Sequence, residues 1–437
     1  MLELFKQIIV EFHQSKLPEP IMREIVWPSL PANVRKARVG IGMRRSGKTW
    51  CLYQRMQALL NQGVDKCRLV YINFEDERLS GMTDQDLQSI LQAYWQLYPQ
   101  YVDSELYFFL DEIAEVPGWE QFVRRLLDNE SIQLYLSGSS AKMLSKEIAS
   151  NLRGRTLVRE VFPLSFSEYL QAHDQGHLMN QAVLTTKQRA LVQSYIERYL
   201  KWGGFPETLS VEPALHREIL QDYMNSVIYR DVIERYDVTN HVALRQLLLY
   251  CLQNPACWLS VNKLFNQFKP QGIKVSKNAL YEYLVYLEDA YGLLRVPVFS
   301  LSLNKTQLKP KKIYPIDPGV ITAYAVHPDY THASALETAV FLHLRRQQPS
   351  AIYYYQTQDN QEVDFLTVEA NGVKALYQVS LSIKQDDTYY REISALQQAM
   401  HELELNHATL ITLNESQQVT LENGVIDIKP VQDLLLA

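Results

Sequence analysis

At 437 residues, with 47% hydrophobic and 21% charged residues, the chain is long enough for about three ordinary domains and can bury sizeable cores without cross-links. A formal net charge of −6 at pH 7 excludes a surface that is one continuous nucleic-acid or membrane footprint, since phosphate binding needs local positive charge, though a local basic patch stays open. Four cysteines, Cys51, Cys67, Cys251 and Cys257, have neither zinc-knuckle spacing nor the density of a disulfide framework, so they read as reduced thiols.

The N-terminus, MLELFKQIIVEFHQSKLPEP, mixes Glu, Lys and His among apolar residues in the pattern of an amphipathic helix. It lacks the basic start and unbroken apolar stretch of a secretory signal, and no apolar run approaches the roughly 18 residues of a membrane span, so a cytoplasmic location is expected. From Val39 to about Ser140 short apolar runs alternate with helical patterns: strands at Arg38–Gly42, Arg68–Phe74, Leu106–Leu110 and Ile132–Ser137, helices at Gly47–Gln62 and Trp119–Asp128. Such alternation predicts an α/β fold, a parallel sheet covered on both faces. From Thr185 to about Tyr250 the pattern is helical, broken by Gly203, Gly204 and Pro206.

Cys257 to Ser300 reads as short helices ending in an apolar, strand-like stretch, the pattern of a winged helix. Its helix at Ser276–Leu287 carries few basic residues and spaces Tyr and Leu as a core does. Lys305, Lys309, Lys311 and Lys312 follow in a connecting segment, read either as a solvated lysine-rich loop or as a phosphate contact. Beyond Pro310–Pro318 comes a helix around Leu336–Arg346, strands at Ile352–Gln356, Glu362–Glu369 and Lys374–Ser380, a helix at Tyr389–Leu403 and a strand at Ala408–Leu413. The expected division is an N-terminal helical extension (1–35), a nucleotide-binding core (36–165), a helical lid (166–240), a winged-helix-like module (241–312) and a last α/β domain (313–437).

Residues 42–49, G-M-R-R-S-G-K-T, match the G-x-x-x-x-G-K-[ST] pattern without a gap, between a strand and a helix. Glycines let backbone N–H groups curl around phosphates, and the following helix aims its positive end at them. The candidate nucleotide-binding residues are therefore Gly42, Arg44, Arg45, Ser46, Gly47, Lys48, Thr49 and Trp50, with Lys48 reaching the β- and γ-phosphates and the Thr49 hydroxyl on Mg²⁺. In LYFFLDEI a buried strand ends in two carboxylates, Asp111 to hold the metal's water shell and Glu112 to polarise the attacking water. The fourth strand ends in Ser137-Gly-Ser-Ser, where Ser137 or Ser139 could sense the γ-phosphate. In LRGRT, Arg153 and Arg155 carry guanidinium forks suited to the charge on a transferring phosphoryl group.

The series GMRRSGKT, YFFLDEI, LSGSSAKMLSKEIASNLRGR, FPLSFSEY, WGGFPE, VIYRDVIERY, KKIYPIDPG, ETAVFLHLRR, EVDF and YQVS resembles a widespread prokaryotic family of AAA-type ATPases. That family, related to archaeal ATPases and STAND NTPases, carries a C-terminal domain of unknown function. The resemblance spans nearly the whole chain and implies ATP and Mg²⁺ as cofactors and a homo-oligomer as the working form. It implies Arg155 as an arginine finger reaching a neighbouring subunit, with Arg153 the nearby alternative, and Pro206 packed near the nucleotide base. One departure stands after Asp111-Glu112-Ile113, where the family usually has Gln and this chain has Ala114.

The resemblance also implies a restriction-endonuclease-like fold for the last domain. That chemistry needs a helix carboxylate, an Asp at a strand start and an E-x-K on the next strand. Glu337 and Asp364 match the first two, but the third reads Gln378-Val379-Ser380, an amide in place of a hard carboxylate ligand and a hydroxyl in place of an ammonium, unless Lys374 or Lys384 fills the gap. The expectation is an ATP-hydrolysing switch or remodeller with a non-catalytic C-terminal platform for DNA or protein. An ATP-gated nuclease and an ATP-dependent DNA-binding regulator are the alternatives.

Overall fold

The computed structural model describes residues 1–437 apart from 20, 32, 140–151, 153, 180–183, 303–305, 307–308, 328–330, 349 and 437. The chain divides into two compact units, Met1–Phe162 and Pro163–Ala437.

In the first unit, helix α1 (Leu2–Gln14) precedes a sheet of β1 (Ala37–Gly42), β2 (Leu69–Asn73), β3 (Leu106–Asp111), β4 (Ile132–Ser139) and β5 (Thr156–Glu160), in the order β2-β3-β4-β1-β5. All four pairings are parallel. Every residue of β1 and β3 is buried, as expected of strands covered on both faces. Side chains alternate across the sheet. Tyr107 and Phe109 of β3 join a core with Leu52, Met56 and Leu59 of α2 (Lys48–Asn61), whereas Phe108 between them meets Tyr94 of α3 (Asp84–Leu97). Phe12 of α1 and Leu17 belong to the α2-side core. Helix α3 opens on a reciprocal cap between Thr83 and Asp86, and α4 (Trp119–Asn129) buries Trp119, Phe122, Val123, Leu126 and Leu127.

The second unit begins with helices α5 (Phe166–Ala172), α6 (Thr186–Trp202) and α7 (Pro213–Ser226), the last continuing as a π-helical stretch, Val227–Ile233. Next come α8 (His241–Gln253), β6 (Trp258–Leu259), α9 (Val261–Phe268), α10 (Lys277–Asp289), β7 (Leu294–Val296) and β8 (Lys311–Tyr314). The three strands form an antiparallel sheet, β6-β8-β7. This corrects the reading of Lys311 and Lys312 as part of a loop: both lie in the central strand, and Lys312 is 2% exposed. Strand β8 also runs across the boundary expected at residue 312.

Helices α11 (Pro318–Tyr324) and α12 (His332–Arg346) lead to β9 (Ala351–Gln356), β10 (Glu362–Val368), β11 (Lys374–Val379), α13 (Asp386–Glu402), β12 (His407–Thr412), β13 (Gln417–Leu421), β14 (Gly424–Pro430) and α14 (Val431–Leu435). These strands form one mixed sheet, β13-β14-β12-β11-β10-β9. Its α13 face is closed by Leu396, Ala399 and Met400 against Val363, Leu366, Leu376, Ala408 and Leu410.

Two segments far apart in sequence are clasped within this unit. The buried Asp317 carboxylate accepts the N–H groups of Gly204 at 2.7 Å and Gly319 at 2.8 Å. Gly203 has φ of 74°, and a Cβ there would collide with that carboxylate, so glycine is required. Burial pushes the Asp317 carboxyl up to about 6, against the pull of the two N–H donors. Among the described residues no helix is long and apolar enough to cross a membrane.

Candidate active site

Strand β1 ends at Gly42, where a Cβ would run into the backbone carbonyl of Val161. The chain then turns through Arg45 and Gly47, both left-handed at φ of 66° and 99°, before α2 starts at Lys48. Left-handed residues in such a loop curl successive N–H groups toward one concavity, the geometry that cradles anions. From the N-terminal segment Arg23 reaches in and donates to the Ser46 carbonyl at 2.9 Å and the Phe162 carbonyl at 2.6 Å, steadying the loop from behind. Sequence motifs did not mark Arg23, which stands among other charged residues in a Pro-rich approach to the strand.

Lys48 is 6% exposed; its ammonium donates to the carbonyls of Gly42 at 3.2 Å and Met43 at 3.3 Å and pairs with Glu112 at 3.1 Å. Thr49 donates to Asp111 Oδ2 at 2.7 Å, Tyr71 donates to the same oxygen at 3.0 Å, and the Ser137 hydroxyl donates to Oδ1. Ser137 also accepts the Glu112 N–H at 3.0 Å, and the Ser139 N–H donates to Glu112 Oε2 at 3.0 Å. The two expected motifs and the end of β4 thus meet in one cluster, with Tyr71 of β2 as a member that no motif announced.

The two neighbouring carboxylates are pushed in opposite directions. Burial raises the Asp111 carboxyl, opposed by its bonds from Ser137, Thr49 and Tyr71, and the charge of Glu112 adds to the rise. Burial alone would raise Glu112 too, but the Lys48 ammonium and the Ser139 N–H outweigh it and hold Glu112 below the usual carboxylate range. A cation beside Thr49 and Asp111 would reverse the rise at Asp111. The hydroxyls of Ser46 and Ser139 are buried with no hydrogen-bond partner among the described residues. Buried orphan hydroxyls call for a ligand, and phosphate oxygens beside the loop would satisfy them. The residues therefore fit a Mg²⁺-nucleotide, with Thr49 and Asp111 the ones able to hold the metal.

Arg44 is occupied by Glu75 at 2.6 Å, Arg45 is exposed, and Trp50 is 39% exposed with its ring edge on Tyr53. Arg155 pairs with Asp128, and Arg153 falls outside the described residues. Pro206 opens a short 3-10 turn, Pro206–Thr208, in the second unit, beside the Gly204–Asp317 clasp.

The second unit gathers its own cluster. Glu337 of α12, Asp364 of β10 and Gln378 of β11 lie together, whereas the Ser380 hydroxyl donates to the Ser382 carbonyl at 3.2 Å. The sequence reading missed three members: Glu362, two residues before Asp364 and on the same side of β10, a spacing that could have marked it, and Lys312 and Glu392, which nothing local marks as members of this cluster.

Comparison with known proteins fits this geometry. Residues 35–170 match the model of an AAA domain, 193–329 a domain of unknown function (DUF8612) and 333–434 a second domain of unknown function (DUF4143). An uncharacterized protein of Methanocaldococcus jannaschii is 33% identical over 437 residues, covering 98% of this chain and 94% of its own length. The chain belongs to that protein's family. It is an ATP-binding and ATP-hydrolysing enzyme with an AAA domain at its N-terminal side. An uncharacterized protein of Haemophilus influenzae is 28% identical over 348 residues, 79% of this chain and 82% of its own length. Among solved structures, the Aeropyrum pernix Orc1 protein in complex with DNA aligns over 74% of this chain and 90% of its own, at 12% identity and a TM-score of 0.26, a likeness too slight to carry an inference.

Proposed function

We propose that the chain is a nucleotide-driven switch or remodeller in which the state of the ATP site governs what the second unit presents to a partner. The observation that carries this is the pairing of Lys48 with Glu112 at 3.1 Å while Thr49 engages Asp111 at 2.7 Å. In that arrangement the loop's cation and the water-activating base neutralise each other. Phosphates entering the loop offer Lys48 a more highly charged partner, and Glu112 is then free to accept a proton from the attacking water. Mg²⁺ held by Thr49 and Asp111 would supply charge neutralisation at the phosphates. Ser137 aligns both carboxylates, and Ser139, with its unpartnered hydroxyl, suits the γ-phosphate, so the two serines divide the sensing role. Arg155, released from Asp128, would act across a subunit interface, with Arg153 as the alternative, and Pro206 would pack near the base.

We assign residues 36–165 as the ATPase core behind the extension 1–35, 166–240 as a lid, 241–312 as a winged-helix-like module and 313–437 as a restriction-endonuclease-like domain. The helix and strand order α8-β6-α9-α10-β7-β8 supports the third assignment, and the sequence α12-β9-β10-β11-α13-β12 the fourth. The last domain is read as a docking platform for DNA or protein that does not cut, because Gln378 and Ser380 supply neither the carboxylate nor the ammonium of the third motif position. A homo-oligomer in the cytoplasm completes the reading. The test is the ATPase rate with and without duplex DNA, alongside oligomeric mass with ATP, ADP and no nucleotide. A mass or a DNA response that changes with nucleotide is expected; ATP turnover with neither mass nor partner binding altered by nucleotide contradicts a switch. Plasmid cleavage lost in an Asp364→Ala chain would promote the nuclease reading instead.

A further inference from the structure

A working site of the restriction-endonuclease kind holds a divalent metal on carboxylate oxygens, about 2.0–2.1 Å away for Mg²⁺. The corresponding pocket here is organised around a different cation. Glu337 Oε1, Glu362 Oε1 and Asp364 Oδ1 converge on Lys312 Nζ at 2.6, 2.8 and 2.9 Å, the spacing of charge-assisted N–H···O bonds. An ammonium has three donors, and these three acceptors use all of them. Two of the carboxylates are also held by other donors: Tyr314 donates to Glu337 Oε1 at 2.7 Å and the Val379 N–H to Asp364 Oδ2 at 2.9 Å.

Where a further ligand would stand, Gln378 accepts the Asp364 N–H at 3.0 Å and donates to Glu392 at 2.6 Å, which commits both ends of its amide. Among the described residues, no group of three or more His, Cys, Asp or Glu side chains is placed to hold a metal ion. The residues present do not fit a metal.

We propose that this acidic pocket is a cation site whose resident cation is the chain's own Lys312 ammonium, and that the ammonium keeps a divalent metal out. Lys312 comes from β8, the central strand of the three-stranded sheet, so the lysine absent at Ser380 is replaced by one that fills the metal's place and does not assist a metal. The pocket then serves as a buried bolt between β8, α12 and β10. With Lys312 removed, three carboxylates remain together without compensation, a costly state that a divalent ion would relieve. This inference deepens the reading of the domain as one that does not cut. DNA cleavage would sink that reading, whereas metal uptake tests the ammonium's place alone.

The experiment is a Mn²⁺ titration by calorimetry and electron paramagnetic resonance on full-length chains. All of them carry Asp111→Asn, so that the nucleotide site contributes no metal. With Lys312 present, no uptake dependent on Asp364 is expected. Lys312→Ala should melt several degrees lower, take up one Mn²⁺ roughly tenfold or more tightly than the Lys312 chain, and regain its melting temperature when loaded. Adding Asp364→Asn should abolish that uptake.

Mn²⁺ bound by the Lys312 chain and lost on Asp364→Asn overturns the proposal, as does a folded Lys312→Ala chain that binds none. Should Lys312→Ala fail to fold, Lys312→Met combined with Asp364→Asn removes one charge of each sign. It is expected to fold, and its failure would show that Lys312 does something other than balance the pocket's charge.

Discussion

Glu112 adopts a left-handed backbone at φ of 53°, a conformation that costs a non-glycine residue energy and persists only where its surroundings enforce it. Here the Ser137 hydroxyl holds its N–H, while Lys48 and the Ser139 N–H hold its carboxylate. The strain aims one carboxylate at the loop's lysine and leaves its neighbour Asp111 to Thr49, Tyr71 and Ser137, so adjacent residues of like charge take separate tasks. Glu112→Gln should keep nucleotide binding, because Thr49, Asp111 and the loop are untouched, and lose turnover by about 10²–10⁴-fold, the typical worth of a general base. Nucleotide affinity and steady-state rate measured on the same preparation check this; undiminished turnover would mean that another group activates the water.

At the scale of elements, the clasp of Asp317 on Gly204 and Gly319 ties the segment after α6 to the start of α11. Both carboxylate oxygens accept N–H groups, so an amide would present a donor to a donor. Asp317→Asn is expected to destabilise the second unit by about 1–3 kcal/mol, read as a lowered urea midpoint. The pH dependence has a definite sign. The folded carboxyl sits at about 6 against an ordinary 3.8, so between those values the folded chain binds more protons than the unfolded one. This group's contribution is therefore fully present below the lower value and is lost as pH rises through 6. Asp317→Asn should flatten that part of the stability profile.

The same scale shows what the sequence could disclose. Apolar runs such as RLVYINF and LYFFL lie within one or two residues of the observed strands, because strands buried on both faces write their burial into the chain. β5 went unseen because TLVRE, half-buried along its length beside β1, mixes apolar and charged residues. β13 went unseen for a related reason, since QQVTL is largely exposed, and β14 because GVIDIKP buries only alternate residues, Ile426, Ile428 and Pro430, with Asp427 and Lys429 between them. Lys312 was misread because what buries it lies 25 to 52 residues away, on α12 and β10, and no local pattern distinguishes an ammonium destined for three carboxylates from one destined for water.

For the whole molecule the question is whether the site works alone. Arg155 pairs with Asp128, and both stand partly exposed, so the arginine is positioned at the surface of its own unit. If it completes a neighbour's site, mixing Arg155→Ala subunits with Lys48→Ala subunits should restore ATPase activity that neither has alone. Some interfaces then join an intact loop to an intact arginine. Verified mixed oligomers without recovery would assign Arg155 to its own subunit. The account as a whole stands on the loop at residues 42–49 being where ATP is bound and hydrolysed, and phosphate release by full-length Lys48→Ala, beside the parent chain and with folding verified by its melting curve, tests that most directly. The expected result is hydrolysis reduced to background with the fold retained; a folded Lys48→Ala chain that releases phosphate at the parental rate would contradict it.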